Sequence, residues 1–476
     1  MSIHWLDYAI IILYFFVVVY IGYWAMKKVT NFDDYAVAGR GLPMSIFFAA
    51  IAATLCGGGA TIGRVSFMHT TGIVVFAGLI GVVINQIFSG LYIAGRVHNI
   101  KNVYSVGDLF GLYYGRAGRL VSSIVCFFFC LGLYGVQILA MGAILQTAVG
   151  IDLIPAALIS SVITLAYTWS GGMLAVTMTD AVQYVIIIIG VSLCGYLAID
   201  HLGGFDAMMA TLNAMPRYEN NLKLFSGWGP IQFAGLFLSF LFGEFCAPYF
   251  IQRYASTKSA KDSKNGLLIF GVHWIFFMAT TAAIGLASMA IQPDVKPDLA
   301  FTNLIRDILP PGITGLVFGA LLAAVMSTGA AMINTSAVIY TRDIYNKFIN
   351  TAATQADLLR QSRLSTLVVG GISIGVAIIF QDVFGLMIYM FKLWPSAILP
   401  PLMCGLLWGK ISPYAGAPAV IAGGLSFFLW SDKVLGEPFG IPANFIGIGM
   451  NCLVLFFVHQ KMKGHKPEGP FLPDLN

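Results

Sequence analysis

Residues 53–64 read ATLCGGGATIGR and lie in the middle of an apolar stretch, about Met44 to Thr70, that is long enough to cross a bilayer. Three consecutive glycines, Gly57-Gly58-Gly59, are unfavourable in a regular helix and free the backbone to unwind. A second stretch of this kind, about Pro230 to Phe250, carries Gly243-Glu244-Phe245-Cys246-Ala247-Pro248. There Pro248 removes a backbone donor and disrupts the turn before it. Four other spans separate these two, so they take corresponding places in two successive five-helix units of opposite orientation. Paired interrupted helices in inverted halves point to a solute site at mid-membrane.

Composition agrees. Of 476 residues, 58% are hydrophobic and only 10% charged, and the mean hydropathy is +0.84. Soluble domains carry about 25% charge. Apolar runs of about twenty residues, rather than short alternation, exclude a barrel. The expected fold class is an all-α polytopic membrane protein with about 13 transmembrane helices. The net charge of +5 sits mostly at span ends, where it orients the chain in its lipid bilayer and implies no nucleic acid. Seven cysteines, at 56, 126, 130, 194, 246, 404 and 452, lie in or beside apolar segments without zinc-ligand spacing, so they are expected to be buried free thiols. The first apolar segment is too long for a cleavable signal, and lysines follow it rather than precede it.

In order, the first span (residues 3–26) ends at Lys27-Lys28, with Arg40 beyond, which places the amino terminus outside. Residues 44–199 form the first repeat and 230–408 the second; 414–459 supply two additional helices, and 460–476 a cytoplasmic tail with Lys461, Lys463 and Lys466. A basic, amphipathic connector spans Tyr104 to Arg119. Arg253, Lys258, Lys261 and Lys264 read as the densest basic loop, facing the cytoplasm. The expected location is the plasma membrane, in a bacterium the inner membrane, with the carboxyl terminus cytoplasmic.

The ninth span contains Gly319–Tyr345, GALLAAVMSTGAAMINTSAVIYTRDIY. Ala324, Ser327 and Thr328 lie about one turn apart and share a helix face. Small and hydroxyl residues inside hydrocarbon serve either close helix packing or a small oxygen-lined ion site. The stretch alone leaves both open.

Three separated motifs carry a family resemblance. Trp169-Ser170-Gly171-Gly172 through Ala175, followed by Thr179-Asp180 and Gln183, resembles a signature of the sodium:solute symporter family. Pro310-Pro311-Gly312-Ile313-Thr314-Gly315, with the ninth span and Arg342-Asp343-Ile344-Tyr345, resembles the second signature. Ala53 to Gly59 looks like the glycine-rich second helix of the choline and pantothenate branches. The resemblance covers nearly the whole chain and implies a leucine-transporter-type fold, a 5+5 inverted repeat and alternating access.

By motif, the resemblance assigns Na+ to the carbonyls of Ala53, Cys56 and Ala324 and the hydroxyls of Ser327 and Thr328. Hard cations prefer such oxygens. A second sodium site in some members needs hydroxyls where this chain has Gly329, Ala330 and Ala331, so one Na+ per cycle is expected, with Asp180 on the ion path or ordering the hydroxyls. The family's solute lies between the broken helices, which makes Gly58, Gly59, Thr61, Asn85, Gln86, Tyr134, Gln137, Glu244, His273, Lys392 and Trp394 candidates. Each has a plainer reading as a packing or hydrogen-bonding residue, and His273 fits that reading better. Charges inside spans are usually functional. Arg64 suits a substrate carboxylate, or alternatively pairs with Glu244 or reaches the outer surface. Tyr249 matches an inner-gate tyrosine of sugar-transporting members, and Trp394-Pro395 suits the outer lid.

The expected function is a monomeric sodium-coupled symporter importing a small organic solute, a carboxylate or zwitterion such as an amino acid or organic acid. The alternatives are proton coupling through Glu244 or Asp180, a sugar-type solute, and a membrane sensor or channel module. Neither a hydrolase triad nor a metal or phosphate-loop motif suggests an enzyme.

Overall fold

The computed structural model describes residues 3–225, 227–380 and 383–462; Lys463 and Lys466 of the basic tail lie outside them. The elements used below are α1 (Trp5–Met26), α2 (Phe32–Val37), α3 (Met44–Leu55), α4 (Ile62–Thr71), α5 (Val74–Asn99), α6 (Val106–Val149), α7 (Leu153–His201) and α8 (Pro230–Phe242). They continue with α9 (Pro248–Ser256), α10 (Ala260–Ile291), α11 (Ile313–Ile339), α12 (Gln355–Phe380), α13 (Val383–Ala397), α14 (Leu399–Trp408), α15 (Gly416–Trp430) and α16 (Ala443–Lys461). Among the described residues, nine helices are each long and apolar enough to cross a membrane, and the bent pair α13–α14 makes up to ten. The protein is an all-helical, multi-pass membrane protein.

Both expected interruptions are present. Helix α3 stops at Leu55 and α4 resumes at Ile62; α8 stops at Phe242 and Pro248 opens α9. A third break, not anticipated from the sequence, bends the chain by 52° between α13 and α14. Pro395 lies inside α13, and Pro400 and Pro401 open α14, so missing amide donors weaken the helix on both sides of the bend. The fifth and sixth expected spans are one element, α7, whose limbs are divided at Gly172. Its φ of +52° suits glycine alone without strain, and a Cβ there would lie 2.5 Å from the Tyr35 carbonyl oxygen.

Helix α11 runs through the centre. Residues 317–339 are all buried, which explains the even mixture of alanine, glycine and hydroxyls around its circumference. Its amino-terminal end is capped by a residue from the first span. Asp7 Oδ1 accepts from the amides of Gly312 and Gly315, each at 2.7 Å. Those amides belong to the unsatisfied first turn, where a negative charge is favourable. At the other end the helix continues as the π-helical segment Tyr340–Ile349, where Arg119 Nη1 donates to Asp108 Oδ1 at 2.6 Å and to the buried Asp343 at 2.9 Å. The amphipathic start of α6, kinked from its spanning part at Gly115, is thereby pinned to the end of α11.

All seven cysteines are free thiols, five of them buried; Cys404 is half-buried and Cys452 exposed, a departure from the expectation that every thiol is enclosed.

Candidate ion and solute site

The gap between α3 and α4 faces the middle of α11. Ser327 Oγ donates to Ala53 O at 2.9 Å, and Thr328 Oγ1 donates to Thr54 O at 2.5 Å. Both hydroxyls also approach Ala324 O, at 2.8 and 3.1 Å. Three carbonyl oxygens and two hydroxyl oxygens from segments 274 residues apart thus converge in a dry setting. Such a neutral oxygen set suits a small hard cation. Among the described residues no group of three or more His, Cys, Asp or Glu has the arrangement of a metal site. Cys56 is fully buried, and its amide donates to the carbonyls of Ala52 and Ala53.

The glycine triplet serves contact more than backbone freedom, since none of the three has a positive φ. A Cβ on Gly57 would fall 2.2 Å from Thr328 Oγ1, on Gly58 2.4 Å from the Ala140 methyl, and on Gly59 2.0 Å from Met387 Sδ. Two side chains hold the unwound loop: Gln137 Oε1 accepts from Gly58 N at 2.8 Å, and Thr61 Oγ1 donates to Gly57 O at 2.9 Å.

Beside the oxygen cluster lies a cavity of about 50 Å³, bordered by Gly57, Gly59, Arg64, Gln137, Glu244 and Thr328 among others. It holds little more than a water or two, so the site is closed down on itself. The Arg64 guanidinium is buried. It donates to Thr281 Oγ1 at 2.8 Å and stands 5.3 Å over the Trp274 ring, whose own N–H has no partner among the described residues. No ion pair joins Arg64 to Glu244 among the described residues, so neither the expected pairing nor escape to the outer surface occurs. Glu244 instead accepts a short hydrogen bond from the Tyr249 hydroxyl.

Four residues beyond Tyr249, α9 carries a buried cation. Arg253, expected in a solvated basic loop, is 1% exposed. It donates to Asp180 Oδ2 at 2.9 Å and to Thr54 Oγ1 at 2.6 Å. Asp180 meets the ion cluster only through Thr54, whose carbonyl receives the Thr328 hydroxyl.

The remaining candidates lie apart from the cavity. Lys392 lines a separate vestibule of about 570 Å³ with Lys296 and Lys433, and pairs with Glu437 at 2.7 Å. Trp394 is fully buried against Phe129 and donates to Phe245 O at 2.8 Å, so it braces the α8–α9 break instead of forming an outer lid. Gln86 is buried with no partner among the described residues, and Asn85 accepts from Ser89 at 3.2 Å. His273 is half-buried against the rings of Phe48 and Tyr184. Tyr134 packs its ring where a side chain on Gly329 would go. The sequence reading missed Thr54, Trp274, Thr281 and the buried role of Arg253. Trp274 and Thr281 are seven residues apart, two turns on one helix face, but the spacing gains meaning only once Arg64 is known to point there.

Interrupted helices meeting a hydroxyl-bearing helix, beside a small and mostly apolar cavity into which Arg64, Gln137 and Glu244 are admitted, are the arrangement of an ion-coupled secondary transporter. The profile of the sodium:solute symporter family matches residues 35–423. The chain belongs to that family, and it is a sodium-coupled symporter of a small organic solute. Relatives include the osmoregulated proline transporter OpuE of Bacillus subtilis, 25% identical over 446 residues covering 90% of this chain and 89% of the relative. The sodium/proline symporter of Escherichia coli is 25% identical over 437 residues, covering 88% and 86%. In fold the chain is similar to a Na+-coupled sialic acid symporter in a substrate-bound outward-open state, with a TM-score of 0.81, 19% identity and coverage of 98% and 99%. A weaker likeness, TM-score 0.59 at 14% identity, covering 90% and 95%, joins it to the nucleobase-cation-symport-1 family transporter Mhp1. The fold is of the leucine-transporter type.

Proposed function

We propose that one Na+ per cycle binds among the carbonyls of Ala53, Cys56 and Ala324 and the hydroxyls of Ser327 and Thr328, and that it drives uptake of a small amino-acid-like zwitterion or carboxylate. The carrying observation is the direct docking of Ser327 and Thr328 onto Ala53 O and Thr54 O, a contact between the two repeats that closes on the break itself. Thr54 and Thr328 belong to this cluster and also border the cavity. An ion that holds them together therefore shapes the solute site, and the coupling runs equally in both directions. The solute class follows from Arg64, a buried cation beside the Trp274 N–H, which has no partner among the described residues; together they offer donors to a carboxylate. Gly58, Gly59, Thr61 and Gln137 shape the floor, Glu244 receives the solute's amino group, and Tyr249 closes the inner side. Proline, named for the relatives, has this chemistry. A single ion is favoured because Tyr134 fills the space at Gly329, and Ala330 and Ala331 bring no oxygen.

In this reading the chain crosses the membrane thirteen times: α7 counts twice, at its Gly172 reversal, and each interrupted pair once. Residues 44–199 and 230–408 are the inverted repeats, 3–26 and 414–459 lie outside them, and 460–476 is a tail. The protomer works as a monomer in a bacterial inner membrane. Its amino terminus is outside, because Lys27, Lys28 and Arg40 follow α1. The test is uptake of radiolabelled proline by proteoliposomes under an imposed sodium gradient. The double variant Ser327→Ala, Thr328→Ala should raise the sodium concentration for half-maximal uptake at least tenfold. An unchanged sodium dependence overturns the site.

A further inference from the structure

Ser327 and Thr328 face α3; the residue before them is gripped from the opposite side. Tyr167 Oη donates to Met326 O at 2.9 Å, a second hydrogen bond on a helical carbonyl. Tyr14 Oη donates to Met326 Sδ at 3.6 Å and accepts from Gln183 Nε2 at 2.7 Å. All four residues are buried. Tyr14 comes from α1, outside the repeats, whereas Tyr167 and Gln183 come from the two limbs of α7. We propose that Tyr14 and Tyr167 are positioning residues of the sodium site, acting through Met326, and that Gln183 aims the Tyr14 hydroxyl. This rests on the assignment of sodium to Ser327 and Thr328.

The grip on Met326 works by leverage. A side-chain oxygen stands about 5 Å from its helix axis, so turning α11 by about 5° carries a hydroxyl roughly 0.4 Å. Ion–oxygen distances tolerate only about 0.2 Å. At the height of the oxygen cluster helix α11 carries small residues, Ala323, Ala324 and Ser327 to Ala331, so few of its own side chains there resist rotation. Met326 is its large residue at the height of the ion cluster, and two phenols grip its main chain and its sulfur. Asp7 fixes the same helix along its axis at the far end. Outer groups that orient ion ligands commonly set affinity in this way.

The test is equilibrium binding of radioactive ²²Na+ to the full-length protein in nanodiscs, with lithium as competitor, which requires no solute. Tyr14→Phe and Tyr167→Phe should each raise the half-saturating sodium concentration about two- to tenfold, the weight of one buried hydrogen bond. Each should also change the lithium-to-sodium preference at an unchanged number of sites, which a simple loss of folded protein does not do. Met326→Leu removes the sulfur acceptor, so Tyr14→Phe should have little further effect in that background, while Tyr167→Phe should keep its effect. Should Tyr14→Phe fail to fold, Gln183→Leu leaves the phenol in place but unaimed and carries the same expectation. Unaltered affinity and ion preference in the phenylalanine variants, with binding lost in Ser327→Ala, overturn this inference alone. Unaltered binding in Ser327→Ala, Thr328→Ala overturns the ion site itself and the inference with it.

Discussion

The pair Arg253–Asp180 lies beneath the ion cluster with side chains 1% and 0% exposed, and its severance has a calculable consequence. At 2.9 Å and an effective dielectric constant of about 20, the attraction is about 6 kcal/mol. Most of this offsets the loss of hydration of the two ions, so the intact pair contributes little net stability. Removing one partner leaves a buried charge with only the Thr54 hydroxyl beside it as a side-chain partner among the described residues. Arg253→Met and Asp180→Leu should therefore each destabilise the fold by about 3–5 kcal/mol, whereas the double variant should lie within about 2 kcal/mol of the parent. The coupling between the sites is then about 4 kcal/mol or more. Reversible unfolding from mixed micelles by titration with sodium dodecyl sulfate, followed by tryptophan fluorescence, measures all four corners of the cycle. Additive single effects, with a coupling under about 1 kcal/mol, would refute the picture of a charge pair held only by its own members.

Three further outcomes follow from the geometry. Gly57→Ala places a methyl 2.2 Å from Thr328 Oγ1 and 2.9 Å from Gln137 Oε1, so ²²Na+ binding should weaken tenfold or more while Ala140→Gly brings no rescue. Arg64→Gln should raise the KM for a carboxylate solute about thirtyfold or more, the weight of a buried charged hydrogen bond left unpaired, with Arg64→Lys no substitute for the planar fork; initial uptake rates against solute concentration decide it. Arg119→Gln should unpin α6 from Asp343, and the buried Cys126, two turns further along, should then react with a small maleimide, as peptide mapping by mass spectrometry would show.

Residues that are difficult to place in hydrocarbon were the ones the sequence made legible. The two interruptions, the Ser327–Thr328 pair, Arg64 and Glu244 stand out because nothing in an apolar helix asks for them, and all lie at the cluster or its cavity. What escaped was azimuth. Position along a span says how deep a side chain sits but not which way it faces. Lys392 and Trp394 share α13 with residues that line the cavity, yet one reaches a vestibule and the other braces Phe245. Arg253 was misread because a cation a few residues before a lysine-rich loop looks solvated; its acid partner is 73 residues away. The bend between α13 and α14 was hidden by its prolines, which also suit a helix start. The glycine triplet was read as loosened backbone, whereas its missing side chains make room for Thr328, Ala140 and Met387.

The cap on α11 also sets a timetable for synthesis. Asp7 is made long before its partners: the amides it receives belong to Gly312 and Gly315, 305 and 308 positions later. At about 5–20 residues per second, the ribosome takes roughly 15 to 60 s to supply them. Throughout that interval the Asp7 carboxylate has only the His4 amide of its own helix start, at 3.0 Å, of the backbone donors it later holds. Helix α11 cannot be locked in place until most of the chain has been inserted, so in a nascent chain stalled before residue 312 the Ala53 carbonyl still lacks the Ser327 hydroxyl that satisfies it in the finished fold, however well the earlier helices have formed.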